Sequence, residues 1–377
     1  MLNCLTKQNF CYANVTGIVC VIVCRKSMNF ISLKSAEKNT MEKRQITIKD
    51  IAKALAISPS TVSRSLSDHP DISRETKEMV TTYAKKHNYR PNPLATSLRT
   101  NRNKTIGVIL PEMVHYFFSS VLSGIEDEAE KEGYRILVSH SRENHEREVK
   151  CVQAMLEAHV CGVLSSVAKS TSTYDHFQEL ADNGIPMVFF DRICKGILTD
   201  RVVVDDYNGV YSAVDYLVKS GCRRIAFYGS TSQLVISNNR RMGYEDALFK
   251  NGVAINPDFI VVCDNYHDAL SMTEKLLALP EPPDAFFAVN DETAIGILNV
   301  AKKLGYRVPE EIAVCGFTNN SICELSDPTL TSVDQHGYEV GTTAMRLLLD
   351  RIRGKRSDEE IASRIIKTKL IVRDSTR

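Results

Sequence analysis

The chain predicts a small all-α head followed by an α/β body of two doubly wound parallel-sheet lobes. Three observations carry that expectation. Between Ile46 and Tyr89 apolar residues recur at helical spacing, each run introduced by a capping signal. From Thr105 onward short, continuous apolar runs alternate with amphipathic helical stretches, the pattern of parallel strands covered on both faces. That body is about 270 residues long, more than one hydrophobic core usually sustains, so it divides.

In the head, Thr47 with Asp50 three residues later is a capping-box start, and Ile51, Ala52 and Leu55 line one face of the helix that follows. Ser58 is a good N-cap for a second helix, and Pro59 stands at its first position, where a missing N–H costs nothing. Two short helices joined by a tight turn make a helix-turn-helix. A rotation of about 100° per residue sends Val62 and Leu66 to the core, turns Ser60 and Arg64 outward and leaves Thr61 and Ser63 on the flanks. An outward Arg among hydroxyls suits base edges in a DNA major groove, because Arg pairs bidentately with guanine. A helical hairpin with a solvated polar face accounts for the same wheel. A third helix is capped by Ser73, carries Glu75 in its first turn and buries Met79, Val80, Tyr83 and Ala84. Lys85, Lys86 and His87 sit at its C-terminal end, where cations suit the dipole. After Tyr89-Arg-Pro-Asn-Pro, Asn92 can cap and Pro93 can start a last helical stretch, Leu94–Thr100. It is too short to persist alone and carries Leu94 and Leu98 on one side.

Charge separates the parts. The formal net charge is +1, yet Met41 to Lys104 hold thirteen Lys/Arg against six Asp/Glu, and Thr105 to Arg377 hold twenty-nine against thirty-nine. A basic head supplies the phosphate attraction on which DNA binders rely, and an acidic body disfavours DNA lying across it.

The run from Thr47 to Leu98 resembles the DNA-binding head and hinge of the LacI/GalR family of bacterial transcription regulators. Thr61-Val-Ser-Arg64, Tyr89-Arg-Pro-Asn92 and Ala95-Thr-Ser-Leu-Arg99 occur in the family's order and spacing, and the resemblance continues over residues 45–377. It implies DNA contacts by Thr47, Pro59, Ser60, Thr61, Ser63, Arg64, Asn92, Ala95, Leu98 and Arg99. Leu98 matches the leucine that the family's hinge helix wedges into the minor groove, where an apolar wedge unstacks a base step and kinks the duplex. The implied plan is a helix-turn-helix domain over 41–90, a hinge and linker over 91–104, and over 105–377 a periplasmic-binding-protein-like domain that binds an effector and dimerises.

In that body the expected strands are Thr105–Leu110, Tyr134–Ser139, Val160–Ser165, Pro186–Phe190, Arg224–Gly229, Phe259–Cys263, Ala285–Val289 and Ile312–Phe317, with Lys369 opening a last one. Helices are expected over Phe117–Lys131, Tyr207–Lys219, Asp291–Leu304 and Gly337–Arg353, and the lobes divide at Asp205-Asp206-Tyr207-Asn208-Gly209. Effectors of such folds bind between lobes, at the carboxyl ends of strands. Several loops match the family's ligand positions. Phe117 and Phe118 occupy aromatic contact positions, one expected to touch ligand and one to pack. Asp191 and Arg192 end the fourth strand, as hydroxyl ligands or as a surface ion pair. Arg240 matches the ligand arginine, with Arg241 a solvated neighbour. Asn290 and Asp291 are a polar ligand pair or the cap of their helix, and Gln335 matches a cleft glutamine. Thr318 departs from the pattern, standing where many members carry an Asp. A neutral residue there admits an anionic effector beside Arg240.

Residues 1–40 stand outside this plan. They hold four of the eleven Cys and an apolar run, Val15–Val23, too short to span a bilayer. They read as a non-native upstream extension or a disordered tail. The other Cys show no CxxC or Cys/His metal spacing, so no metal and no cofactor is expected. No GxSxG, Walker A, HExxH or GxGxxG run is present, and an enzyme is not expected. The expectation is a cytoplasmic, homodimeric, ligand-responsive repressor of carbohydrate genes. Its partners are a near-palindromic operator and a sugar or sugar derivative, with no membrane. The rival is a two-lobed sugar-binding protein without DNA function, which has no use for the basic head.

Overall fold

The computed structural model describes residues 46–89, 104–194, 196–231, 233–356 and 360–377, together with the backbone of a short antiparallel pairing, Asn14–Val15 with Ile18–Val19. The expectations placed on Asn92, Ala95, Leu98 and Arg99 lie outside the described residues, as do those on most of residues 1–40. The chain forms two compact units, residues 1–91 and 92–377.

The first unit carries helices Ile48–Ala54, Pro59–Leu66 and Arg74–Lys86. The capping box is formed: the Thr47 N–H donates to Asp50 Oδ2 at 2.9 Å and the Asp50 N–H to Thr47 Oγ1 at 3.3 Å. Ser58 Oγ accepts the Thr61 N–H at 3.0 Å, with Pro59 at the first helical position. Ile51, Ala52, Val62, Val80 and Ala84 make the core. Leu55 and Tyr83 are half-buried against that core, and two further expected members differ. Met79 is 43% exposed, because Val80 and Ala84 already define the buried face and Met79 lies one residue off it. Leu66 is half-buried at the last helical position, and Ser65 is buried in its place, its hydroxyl donating to the Thr61 carbonyl at 2.8 Å.

The second unit is built on two six-stranded sheets. The first runs Ser363–Ile366, Asp200–Val204, Met187–Phe190, Val163–Ser165, Thr105–Leu110, Arg135–His140, all parallel. The second runs Lys369–Ile371, Thr331–Asp334, Ala313–Thr318, Ala285–Ala288, Ile225–Gly229, Ile260–Val262, with only its Lys369 edge antiparallel. Helices cover both faces, so buried strands read as apolar blocks: Phe286, Phe287 and Phe317 are fully buried.

The lobes are not consecutive in sequence. After Val204 the chain enters the second lobe with helix Asp206–Lys219, as the Asp205–Gly209 junction anticipates. It then returns: helix Gly337–Ile352 and strand Ser363–Ile366 belong to the first lobe. Glycines make the return fit. A Cβ on Gly341 would lie 2.0 Å from the Val121 carbonyl oxygen, and one on Gly124 would lie 2.2 Å from that of Tyr338. Helices Tyr116–Lys131 and Gly337–Ile352 therefore pack backbone against backbone. Arg351 fastens the returning helix to the sheet through Asp200, Nε to Oδ2 at 2.6 Å, both side chains buried. Strands Asp200–Val204, Thr331–Asp334 and Ser363–Ile366 were not expected. Each is short and carries polar residues that break the apolar pattern.

Candidate functional site

Two surfaces hold the residues singled out by sequence. On the head, Ser60 and Arg64 are exposed on helix Pro59–Leu66, and Thr61 and Ser63 are half-buried beside them. Ser58 Oγ lies 2.6 Å from Ser60 Oγ and 2.8 Å from Thr61 Oγ1, so the cap also orders the hydroxyls at the start of this helix. Thr47 and Pro59 stand at the starts of their helices.

The second surface is a cavity of about 300 Å³ between the lobes of the body. Phe117, Phe118, Asp191, Arg192, Arg240, Asn290, Thr318 and Gln335 all line it; all but Arg240 come from the carboxyl ends of strands or the helix starts just beyond them, and Arg240 stands in the second turn of helix Val235–Lys250. Arg241 instead pairs with Glu245 at 2.8 Å on the outer face of its helix. Both phenylalanines also belong to the first lobe's core, edge to face at 5.4 Å.

Asp291 is not on the cavity wall. Its carboxylate is buried, accepting the Asn320 N–H at 2.7 Å and the Ser332 hydroxyl at 2.5 Å, and it ties the start of its helix to the 319–321 loop and to strand Thr331–Asp334 of the second lobe. Asn290 keeps the capping role, its Oδ1 accepting the Thr293 N–H at 2.8 Å, while its amide donates to the Asp264 carbonyl at 2.8 Å.

The electrostatics revise one expectation. Arg240 does meet a carboxylate: its Nε donates to Asp206 Oδ1 at 2.7 Å, its Nη1 to the Val289 carbonyl at 3.0 Å, and its guanidinium lies 4.2 Å from the Phe317 ring centre. Burial pushes the Asp206 carboxyl up and Arg240 opposes it. Arg192 Nη1 donates to both Glu143 oxygens at 2.8 Å. Lys169, from the first lobe, donates to Asp264 of the second at 2.6 Å. Burial would raise Asp264, but Lys169 and Ser230 hold it below its ordinary value. Each cation on this wall thus has a carboxylate partner, and Thr318, whose hydroxyl donates to Gln335 at 2.9 Å, leaves no surplus positive charge.

Asp191 pairs more loosely, its Oδ2 3.7 Å from Arg192 Nε, as a buried ion pair rather than a surface one. Burial pushes its carboxyl up to about 6, with Arg192 pulling the other way. His115, also on the wall, is pushed down to about 4 by burial and by Arg192, Arg240 and Lys169, so it is neutral at physiological pH. Its Nδ1 has no partner among the described residues. Backbone strain marks the same place: Asp191 has φ +59° and Thr318 φ +128°, a region a β-branched residue rarely enters.

Glu143, Lys169, Asp206, Ser230, Asp264 and His115 were not anticipated. The available signal was position: each lies in the loop beyond a strand of one of the sheets or at the start of the helix that follows it.

The body's residues 214–376 match the family described as periplasmic binding protein-like domain, and residues 47–92 match bacterial regulatory proteins, lacI family. The chain is 32% identical over 332 residues to the HTH-type transcriptional repressor CytR of Escherichia coli (strain K12), covering 88% of this chain and 96% of that one. The chain belongs to the LacI family. Among solved structures, the transcriptional regulator CelR–cellobiose complex is 27% identical with a TM-score of 0.66, covering 88% of this chain and 100% of that one. The lac repressor dimer bound to operator and the anti-inducer ONPF is 22% identical with a TM-score of 0.79, covering 88% and 99%, and bears on the fold alone. As a LacI-family member the chain is a ligand-responsive, DNA-binding transcriptional regulator rather than an enzyme, and family members bind operator DNA and small-molecule ligands as dimers. That family acts in the cytoplasm, on DNA. Among the described residues no helix is long and apolar enough to cross a membrane.

Proposed function

We propose that this regulator is a repressor of carbohydrate genes whose effector is a neutral sugar or sugar derivative seated in the interlobe cavity. The pairing of Arg240, Arg192 and Lys169 with Asp206, Glu143 and Asp264 carries the reading. An anion would have to displace a carboxylate from a cation. A polyol needs only donors and acceptors, and finds them at Arg240, Asp191, Asn290, Gln335 and His115, with phenylalanine faces against its carbons. The cellobiose complex of the related regulator supports the same class. This disfavours the anionic effector that Thr318 alone would admit.

In this reading residues 41–90 are the DNA-binding domain, 91–104 the hinge and 105–377 the effector and dimerisation domain. Two heads take half-sites of a near-palindromic operator. Ser60 and Arg64 read base edges, with Thr61 and Ser63 beside them. Thr47, Pro59, Asn92, Ala95 and Arg99 position the head and hinge on the backbone, and Leu98 is the minor-groove wedge. Sugar binding alters lobe closure, and closure governs the hinge; a coupling of about 1–3 kcal/mol is typical of such linkage.

The test is a melting-temperature screen of the whole chain with neutral sugars, cellobiose and ribose among them, against their phosphate esters. A neutral sugar should raise the melting temperature, and Arg240→Ala should abolish that response while Arg241→Ala keeps it. Stabilisation confined to the phosphate esters would overturn the reading.

A further inference from the structure

Away from the cleft wall, the first lobe holds a cluster that the regulatory function does not use. Helix His145–Glu157 places His145 and Glu148 one turn apart on one side, and helix Asp175–Asp182 brings His176 against them. One ligand atom from each of the three lies within 4.8 Å of the others. Glu148 and His176 are buried, and His145 is half-buried at the first position of its helix.

We propose that His145, Glu148 and His176 form a binding site for a divalent cation of the zinc class. Two imidazoles and one carboxylate are a set that zinc accepts, leaving a fourth position open. Ligand atoms on a tetrahedral zinc ion stand about 3.3 Å apart, given bonds of about 2.0–2.1 Å. His176 Nε2 and Glu148 Oε1 already lie 2.9 Å apart, so both need only small shifts. His145 is the ligand able to turn inward, being the least buried of the three. Its Nδ1 is enclosed yet has no hydrogen-bond partner among the described residues.

The surroundings provide the outer shell that metal-ligating carboxylates require. The Ala168 N–H donates to Glu148 Oε2 at 2.6 Å, fixing the carboxylate plane, so that an ion taking the place of the His176 contact would meet Oε1 in a set orientation. The Thr171 hydroxyl donates to Oε1 at 2.7 Å. The site also touches the regulatory chemistry. Ala168 and Thr171 flank Lys169, which spans the cleft to Asp264, so an ion here would stiffen the loop that carries that link.

Without an ion, the same hydrogen bonds would simply pin the 168–171 loop to its helix, and the two accounts part on His145. The experiment is a Co2+ titration of the whole chain, stripped of metal by a chelator and kept reduced, read by visible absorption and repeated with Zn2+ by calorimetry. The expected result is one ion per chain. The Co2+ spectrum should show low-symmetry ligand-field bands without thiolate charge transfer, which excludes the cysteines. Since losing even an outer-shell partner costs about 10–100-fold in affinity, His145→Ala should weaken binding at least about tenfold. His145 packs at a helix end, so that variant should keep its fold, verified by circular dichroism, and His159→Ala serves as the control. His176→Gln, where it folds, should behave as His145→Ala does. No stoichiometric binding, thiolate bands, or unchanged affinity in His145→Ala would each overturn the site.

Discussion

The head and the cleft hold their working residues by opposite means. In the head the caps are local: Thr47 with Asp50, Ser58 with Thr61 and Ser73 with Thr76 all join residues three apart, and the Lys77–Asp68 pair spans only nine. The side chains presented outward, Ser60 and Arg64, are exposed. In the cleft the ordering contacts are distant. Arg240 meets Asp206 across 34 residues and Val289 across 49, and Lys169 meets Asp264 across 95. The cleft side chains are also mostly buried. Under the proposed function, an outward head residue such as Arg64 can therefore be changed with little cost to folding and a large cost to DNA reading. Under the same proposal a cleft residue belongs to both the core and the ligand wall, so its loss damages stability and response together.

The largest test of that contrast is Asp206→Ala. It leaves the Arg240 guanidinium, 10% exposed, without its partner. Breaking a buried pair from one side typically costs about 3–5 kcal/mol, and water reaching Arg240 from the cavity places this case near about 3 kcal/mol. Denaturant unfolding reads it. A loss below about 1 kcal/mol would mean that Arg240 is not held in this way.

Asp191 tests the same wall through pH. A carboxyl whose folded-state pKa is raised binds its proton more tightly when folded. Its contribution to stability is then full at low pH and is lost as pH climbs from 3.8 to about 6. Asp191→Asn removes that loss. The variant should be more stable than the native chain at neutral pH, by a margin on the order of 2 kcal/mol, and the gap should close on acidification. Melting curves across that range check it, and a gap that grows in acid would reverse the assignment.

Arg64→Ala approaches the contrast from the head. Melting temperature should be unchanged within error, because an exposed side chain away from the core is worth at most about 0.5 kcal/mol. Operator affinity should fall by about 1–3 kcal/mol, with relaxed preference at one base position per half-site. A binding titration against operators varied one position at a time separates base reading from phosphate attraction, which would weaken all sequences alike.

The smallest effect is expected at the N-terminal end. A chain beginning at Met41 retains the capping box and the whole basic head, so its melting temperature and operator affinity should equal those of the full chain. A drop in either would show that residues 1–40 contribute.

The head was the most readable part. Capping and helical periodicity act within a few residues, so Thr47, Ser58, Pro59 and the Ile51, Ala52 and Val62 core follow from adjacent sequence. Only rim positions differed, with Met79 outside and Ser65 inside. In the body, long apolar strands such as Thr105–Leu110 were legible because burial on both faces writes them as uninterrupted blocks. Strand Ser363–Ile366 was not, since three of its four residues are exposed at a sheet edge. Resemblance located Arg240, Phe117 and Gln335 on the wall, but it also named Asp291, whose carboxylate turned inward to bind Asn320 and Ser332.

Sequence by itself determined the kind of molecule: a basic helix-turn-helix head, an α/β body of two lobes and membership in one regulatory family. Those properties rest on composition, periodicity and motif spacing, which are sums over neighbours along the chain. The return of Gly337–Ile352 to the first lobe was decided by tertiary structure alone, and so was the partner of every charge in the cleft. Such pairings depend on which loops the two sheets bring face to face, and Coulomb attraction acts through space regardless of separation along the chain. Arg240 reads the same in sequence whether it is an unopposed cation awaiting an anion or half of a buried pair. Asp206, 34 residues away, makes it the second.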